Sequence, residues 1–359
     1  MTPSPVRLAL PLIVLGASVL ATRVIPIPAA GAAAGLAFAW LLAVMIWGAA
    51  GVLHHAEAVA ERLGEPVGTL VLTLAVVGIE VSLIASVMLS GGGSPTLARD
   101  TMFAVVMIVL NLLTGLSLLL GALRFGEQGY NLAGARSFLT VLLPLAVFSM
   151  VLPAYTTSSW GPTFSGMQAL FFALITLALY GVFLLMQTVR HRGYFVDSTE
   201  NDHAHGYATH PTWVHALLMT AMLLLIVLLS KTLTKLLGTG LELLGLPSAL
   251  GGVLIAMIVL VPEGASAVKA ARANRLQRAI NLCLGAALST IGLTVPVALA
   301  IGAYAGQDVV LGLSPVNQIM LGLALLTSIL TFGHGRTNLL HGAVHIVLFL
   351  AYVALIFAP

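Results

Sequence analysis

Charge is what this sequence lacks. Asp, Glu, Lys and Arg together make up 8% of its 359 residues, against roughly 25% in an ordinary soluble domain. That is too little polar surface to meet water on every side, so the soluble globular class is excluded. Cysteine is almost missing as well. The single Cys283 rules out an intramolecular disulfide and any metal site built from several thiolates. The sequence holds no G-x-x-x-x-G-K-[ST] phosphate loop and no His-Glu-x-x-His pair, which argues against ATP-driven pumping and metalloproteolysis. No nucleophile with a matching base stands out either, so the chain reads as a non-enzyme that needs no cofactor. Its formal net charge of +3 fits cytoplasmic anchoring of membrane helices better than a nucleic-acid partner.

What the sequence has instead is apolar length. Hydrophobic residues reach 59%, and they fall into eleven candidate spans: 8–22, 29–53, 67–89, 101–123, 138–152, 165–188, 214–230, 247–268, 279–303, 316–332 and 339–358. Most approach the ~20 residues that cross a ~30 Å hydrocarbon core as a helix, while the first and fifth are short. They are too long and too continuous for the alternating ~10-residue strands of a membrane barrel. Lipid offers backbone groups no other partners, so an all-α polytopic membrane protein embedded in a bilayer is expected. The first span also has the outline of a signal peptide, with Arg7, an apolar stretch and then Ser18-Val19-Leu20-Ala21.

Orientation follows from the cationic residues. If the spans alternate, Arg23, Arg99, Lys231 and Lys235 fall on one side and the other eleven of the fifteen Lys and Arg on the opposite side. The positive-inside rule then predicts a plasma (inner) membrane protein with a cytoplasmic N-terminus and an external C-terminus. Setting residues 1–28 aside as an extra helix leaves ten spans. A polar His- and acid-rich linker over 190–212 divides them into sets of five, 29–189 and 213–359. Five is odd, so the two sets cross the membrane in opposite senses, the inverted-repeat pattern of secondary transporters whose site lies near the midplane.

Two glutamates occupy matching places in this scheme. Glu80 lies on the second helix of the first set and Glu263 on the second helix of the second. An acidic side chain at bilayer depth costs ~2.5–3.5 kcal/mol on insertion scales, so each is a candidate for function. Thr69 and Thr73 fall within about 20° of Glu80 around the helix, which lines up oxygens on one face; the ordinary reading is that such hydroxyls bond a carbonyl one turn back. Pro262 precedes Glu263 and removes a helical hydrogen bond, so Pro262 and Gly264 are read as a hinge or helix break. On the following helix Ser289 and Thr290 are possible auxiliary ligands, with packing the alternative. His203, His205 and His210 in the linker suit either a pH- or metal-sensitive loop or a plain solvated connection. His54, His55, His334 and His341 sit at helix ends, and His345 lies seven residues into the last span, where packing is the ordinary reading.

These residues resemble a known family. The stretch from Arg62 to Glu80, with Gly64 and Gly68 at matching spacing, is similar to the first α-repeat of the calcium/cation antiporter superfamily, in its cation/proton exchanger branch. Pro262-Glu263-Gly264 and the run from Gly285 to Pro296 resemble the second α-repeat, and Gly335 through Gly342 resembles that branch's closing motif. The likeness runs from about residue 54 to the end and is greatest to bacterial calcium/proton antiporters also associated with sodium and potassium. It implies a sodium/calcium exchanger-like fold of 1 + 5 + 5 helices. It also implies export of Ca²⁺, or alternatively Na⁺ or K⁺, in exchange for protons, with Glu80 and Glu263 as the cation and proton ligands, and with inorganic cations, protons and the lipid bilayer as partners. Three neutral positions depart from the family pattern: Val76-Val77 and Val259-Leu260 replace a Gly-Asn pair, and Ser289 replaces a glutamine.

Overall fold

The computed structural model describes residues 5–28, 30–64, 67–89, 96–196 and 211–358. The linker histidines His203, His205 and His210, and the side chains of Arg7 and Thr69, lie outside that description. Helices dominate: α1 (Pro5–Val24), α2 (Ala32–Leu63), α3 (Val67–Leu89), α4 (Leu97–Met107), α5 (Thr114–Phe125), α6 (Leu132–Ala146), α7 (Gly166–Leu185), α8 (Thr212–Leu243), α9 (Ala249–Arg272), α10 (Leu276–Ser289), α11 (Val295–Ala305), α12 (Pro315–Thr331) and α13 (Leu339–Phe357). Short wide turns join α4 to α5 (Ile108–Leu113) and α10 to α11 (Thr290–Thr294), so each pair is one long segment. Among the described residues, eight helical segments are long and apolar enough to cross a membrane, and three shorter apolar ones, Ala9–Val24, Thr73–Ala85 and Pro315–Thr331, accompany them.

Two helices outrun their apolar stretches. α2 and α8 each have 32 residues, about 48 Å at 1.5 Å per residue, where the sequence marks only 29–53 and 214–230. Nothing in the alanine-rich run after His55, or in the leucine-rich run after Lys231, ends a helix. α2 stops only at Gly64, which takes φ +65°, a conformation glycine adopts at no steric cost.

The chain divides into two compact units. The first holds residues 1–97 and 203–262, the second 98–202 and 263–359. Each therefore draws on both halves of the sequence. In the first unit α2 and α8 share a long seam in which Leu41, Met45 and Val52 meet Met222, Ile226 and Leu229, all at most 2% exposed. α1 joins this seam where Leu15 lies over Gly48; a Cβ on Gly48 would stand 2.8 Å from Leu15 Cδ1. Small residues at such crossings let helices approach where lipid supplies no hydrophobic drive between them. α3 packs on α2 and α8 through Ala75, Ile79 and Leu83.

In the second unit the α4–α5 and α10–α11 segments are the most enclosed. α13 docks on α5 through a reciprocal glycine contact. A Cβ on Gly342 would fall 2.5 Å from Leu119 N, and one on Gly115 would fall 3.1 Å from the Gly342 carbonyl oxygen. Among the described residues there is also one strand pairing. Gln128–Gly129 (β1) pairs antiparallel with Arg336–Thr337 (β2), stitching the loop after α5 to the loop before α13. Gln128 Nε2 donates to the Ala271 carbonyl at 2.9 Å, and Gly335 N donates to Tyr130 Oη at 3.1 Å. Burial lifts the Tyr130 phenol above its ordinary range, so it stays neutral in this belt.

Candidate functional site

The two glutamates belong to different units: Glu80 to the first and Glu263 to the second. Each is built into its own unit in a way the local sequence explains.

Glu80 lies on α3 between apolar neighbours that face inward. Val77, Ile79, Leu83 and Ile84 are at most 5% exposed, and Glu80 itself is 4% exposed. The helix forms because 67–89 is an unbroken apolar run, and the burial comes from packing on α2 and α8. Thr73, the hydroxyl two turns upstream, is half-buried. Gly68 has a separate task. A Cβ there would lie 2.4 Å from the Ala60 carbonyl oxygen, so only glycine lets α3 start beside the end of α2.

Glu263, 8% exposed, lies on α9 immediately after Pro262. Pro262 and Gly264 are expected to interrupt the helix, yet α9 runs from Ala249 to Arg272 with Pro262 inside it. The lost amide bond alone does not end a membrane helix, because neighbouring groups satisfy what proline frees. Gly264 proves to be a contact position. Leu113, the last residue of the wide turn between α4 and α5, crosses it so closely that a Cβ would fall 2.5 Å from Leu113 Cδ2. On α10 the buried Cys283 thiol lies beside Thr114 and Ser117 of α5.

The auxiliary candidates on the α10–α11 segment separate. Ser289 Oγ donates to the Ala286 carbonyl at 3.1 Å, the ordinary use of a helical hydroxyl. Thr290 is buried at the start of the wide turn. Thr294, at its end, is 1% exposed, and its Oγ1 has no hydrogen-bond partner among the described residues. Gly292 between them admits the Tyr180 ring, whose Cγ would stand 2.8 Å from a Cβ.

The wide turns themselves are the element that sequence reasoning misses. Each is a π-type insertion, a feature frequent at functional sites. They begin 28 and 27 residues after the two glutamates, from 80 to 108 and from 263 to 290. Asn111, fully buried in the first, is a polar residue at the centre of an apolar run, and that alone was a readable signal. Among the described residues no group of three or more His, Cys, Asp or Glu converges on one point.

Comparison with known proteins gives these features a setting. The sequence profile of the sodium/calcium exchanger protein family matches residues 33–189 and 214–358. The chain is 47% identical over 312 residues to the protein y4hA of Sinorhizobium fredii, covering 86% of this chain and 84% of that one. It is 42% identical over 313 residues to ChaA of Escherichia coli, named a sodium-potassium/proton antiporter, covering 86% and 85%. Among solved structures, native YfkE superposes with a TM-score of 0.75 at 20% identity, covering 97% of this chain and 100% of that one.

Proposed function

Because this chain belongs to the sodium/calcium exchanger protein family, we propose that it is a proton-coupled cation antiporter in which Glu80 and Glu263 are the groups that carry cation and protons in turn. The observation that carries the reading is their burial: two carboxylates, 4% and 8% exposed, each kept within an apolar helix where a charge is costly. A carboxylate in such a place is neutralised either by a proton or by a bound cation. Cation binding requires the ionised form and therefore releases protons. If the empty, doubly charged form cannot change its access across the membrane, only loaded forms cross, and a proton gradient drives cation export without ATP.

The arrangement that delivers alternating access is, on this reading, a pair of inverted five-helix repeats, 29–189 and 213–359, with residues 1–28 outside them and 190–212 between. Three things support it: the odd number of spans in each set, the two separate segments matched by the family profile, and the near-equal distance from each glutamate to its wide turn. The repeats rock about the site. Pro262 supplies a flexing point in α9 and Thr73 and Thr290 supply neutral oxygens. The eleven-to-four division of Lys and Arg supports a cytoplasmic N-terminus and an external C-terminus in a bacterial inner membrane.

For the ion, Na⁺ or K⁺ is the first reading. Val77, Val259 and Leu260 are buried and offer no side-chain oxygen, and Ser289 offers a single hydroxyl oxygen, whose hydrogen goes to the Ala286 carbonyl. Ca²⁺ takes 6–8 oxygens, which this set supplies poorly, and the relative at 42% identity is named for sodium and potassium. Ca²⁺ is the second reading, favoured by the retention of two carboxylates, whose charge suits a divalent ion.

The test is exchange in proteoliposomes holding the purified full chain, with an internal pH dye and separate titrations of Na⁺, K⁺ and Ca²⁺. Glu80→Gln and Glu263→Gln should each reduce cation-driven proton movement to the level of empty vesicles while incorporating normally. Full exchange by either variant removes that residue from the mechanism.

A further inference from the structure

Behind Glu263 lies a buried polar chain that the exchange reading does not use. His345 on α13 is fully buried. Its Nε2 is 3.1 Å from Thr331 Oγ1 at the end of α12, and its Nδ1 is 3.4 Å from Asn111 Oδ1 in the wide turn Ile108–Leu113. Asn111 donates its Nδ2 to Met107 Sδ, so the oxygen it turns to the ring accepts and Nδ1 carries the proton; in the neutral ring Nε2 then accepts and the Thr331 hydroxyl donates.

The turn it holds is an irregular one. A wide turn leaves carbonyls without their usual helical partners. Here Thr114 Oγ1 donates to the Val109 carbonyl at 2.8 Å, and His345 Nδ1 holds the Asn111 side chain two residues on. The reciprocal contact of Gly342 and Gly115 brings α13 close enough to α5 for the ring, one turn beyond Gly342, to reach. The last residue of the same turn is Leu113, whose methyl groups rest on Gly264 beside Glu263. His345, Asn111, Leu113 and Gly264 thus form one mechanical path that ends at the carboxylate-bearing residue.

We propose that His345 is a positioning residue for Glu263: by clamping the wide turn through its Nδ1 side, it sets where Leu113 presses on Gly264 and so where the Glu263 carboxylate stands. This rests on the reading of Glu263 as a cation and proton ligand.

The experiment compares His345→Phe, His345→Asn and His345→Gln in the full chain. Exchange in proteoliposomes is measured against cation concentration and pH, and proton release on adding Na⁺, K⁺ or Ca²⁺ is measured on purified protein. Asn keeps a donor near the Nδ1 position, whereas Gln reaches only toward Thr331. His345→Phe should raise the half-saturating cation concentration about 10-fold, the lower end for groups acting behind a metal ligand, and move the pH midpoint, with a smaller change in maximal rate. His345→Asn should recover most of this and His345→Gln should not. Should the Phe variant fail to fold, the Asn and Gln pair decides the matter.

A lowered yield or maximal rate with unchanged half-saturation and pH midpoint would mean a purely structural role and overturn the proposal. So would equal behaviour of the Asn and Gln variants, or rescue by Gln alone. Failure of the underlying reading looks different: no cation-driven proton movement by the unmodified protein, or full exchange by Glu263→Gln.

Discussion

His55 and His215 meet ring to ring at the end of the α2–α8 seam. Their Nδ1 atoms are 2.9 Å apart and each residue is 1% exposed. Only one of two facing nitrogens can carry the proton, so the bond requires one ring to donate and the other to accept. Losing one ring takes this partner from the other, a loss of about 1–3 kcal/mol for a buried polar group. Replacing both rings by apolar groups of similar shape is far milder. His55→Phe and His215→Phe should therefore each lower the thermal midpoint in detergent, while the double variant should fall well short of their sum. A strictly additive pair would show that the contact contributes nothing of its own.

The glycines make a sharper contrast. A Cβ on Gly342 would strike backbone, 2.5 Å from Leu119 N and 2.9 Å from Leu119 Cα, and backbone cannot swing aside. Gly238 on α8 has nothing within 4 Å of such a Cβ. Gly342→Ala should destabilise by about 1–3 kcal/mol, the range for overpacking, and Gly238→Ala should stabilise by up to about 1 kcal/mol through helix propensity. Paired unfolding curves in the same detergent check both signs at once.

Much of this protein is legible in its sequence, and the limits have physical causes. All eleven apolar runs are helical because lipid-length hydrophobicity leaves few alternatives. The extents of α2 and α8 are not legible, since a helix ends where its backbone is capped rather than where hydropathy falls, and for α2 that place is Gly64. Glu80 and Glu263 stand out because burial of a carboxylate is costly wherever it occurs. Asn111 and His345 do not stand out as a pair. They are 234 residues apart in sequence, and only the close crossing at Gly115 and Gly342 brings them together. The wide turns leave no periodic mark, because one extra residue per turn barely disturbs a uniformly apolar pattern. The two compact units cut across the two sequence halves; order along the chain says nothing of which helices pack together.

Pro262 offers a test of flexing in α9. The helix passes through it without interruption, so replacement by alanine restores an amide and removes a residue about 3 kcal/mol less favourable than Ala in a helix interior. If α9 bends there during exchange, Pro262→Ala should be more thermostable and turn over several-fold more slowly, with the half-saturating cation concentration unchanged. Unchanged turnover in proteoliposomes would remove the hinge.

The pH dependence of cation binding separates the two ion readings. If protons and cations compete for Glu80 and Glu263 as proposed, acid weakens cation binding and alkali strengthens it. While the site is largely protonated, displacement of one proton per cation changes the apparent Kd about 10-fold per pH unit, and displacement of two changes it about 100-fold, by mass action. A monovalent ion balanced against one carboxylate predicts the shallower slope; Ca²⁺ held by Glu80 and Glu263 together predicts the steeper one. Calorimetric titrations of purified protein with Na⁺, K⁺ and Ca²⁺ at several pH values give the slope directly. Affinity that is flat across pH would mean that no carboxylate proton is exchanged for the cation, and antiport at these glutamates would be ruled out.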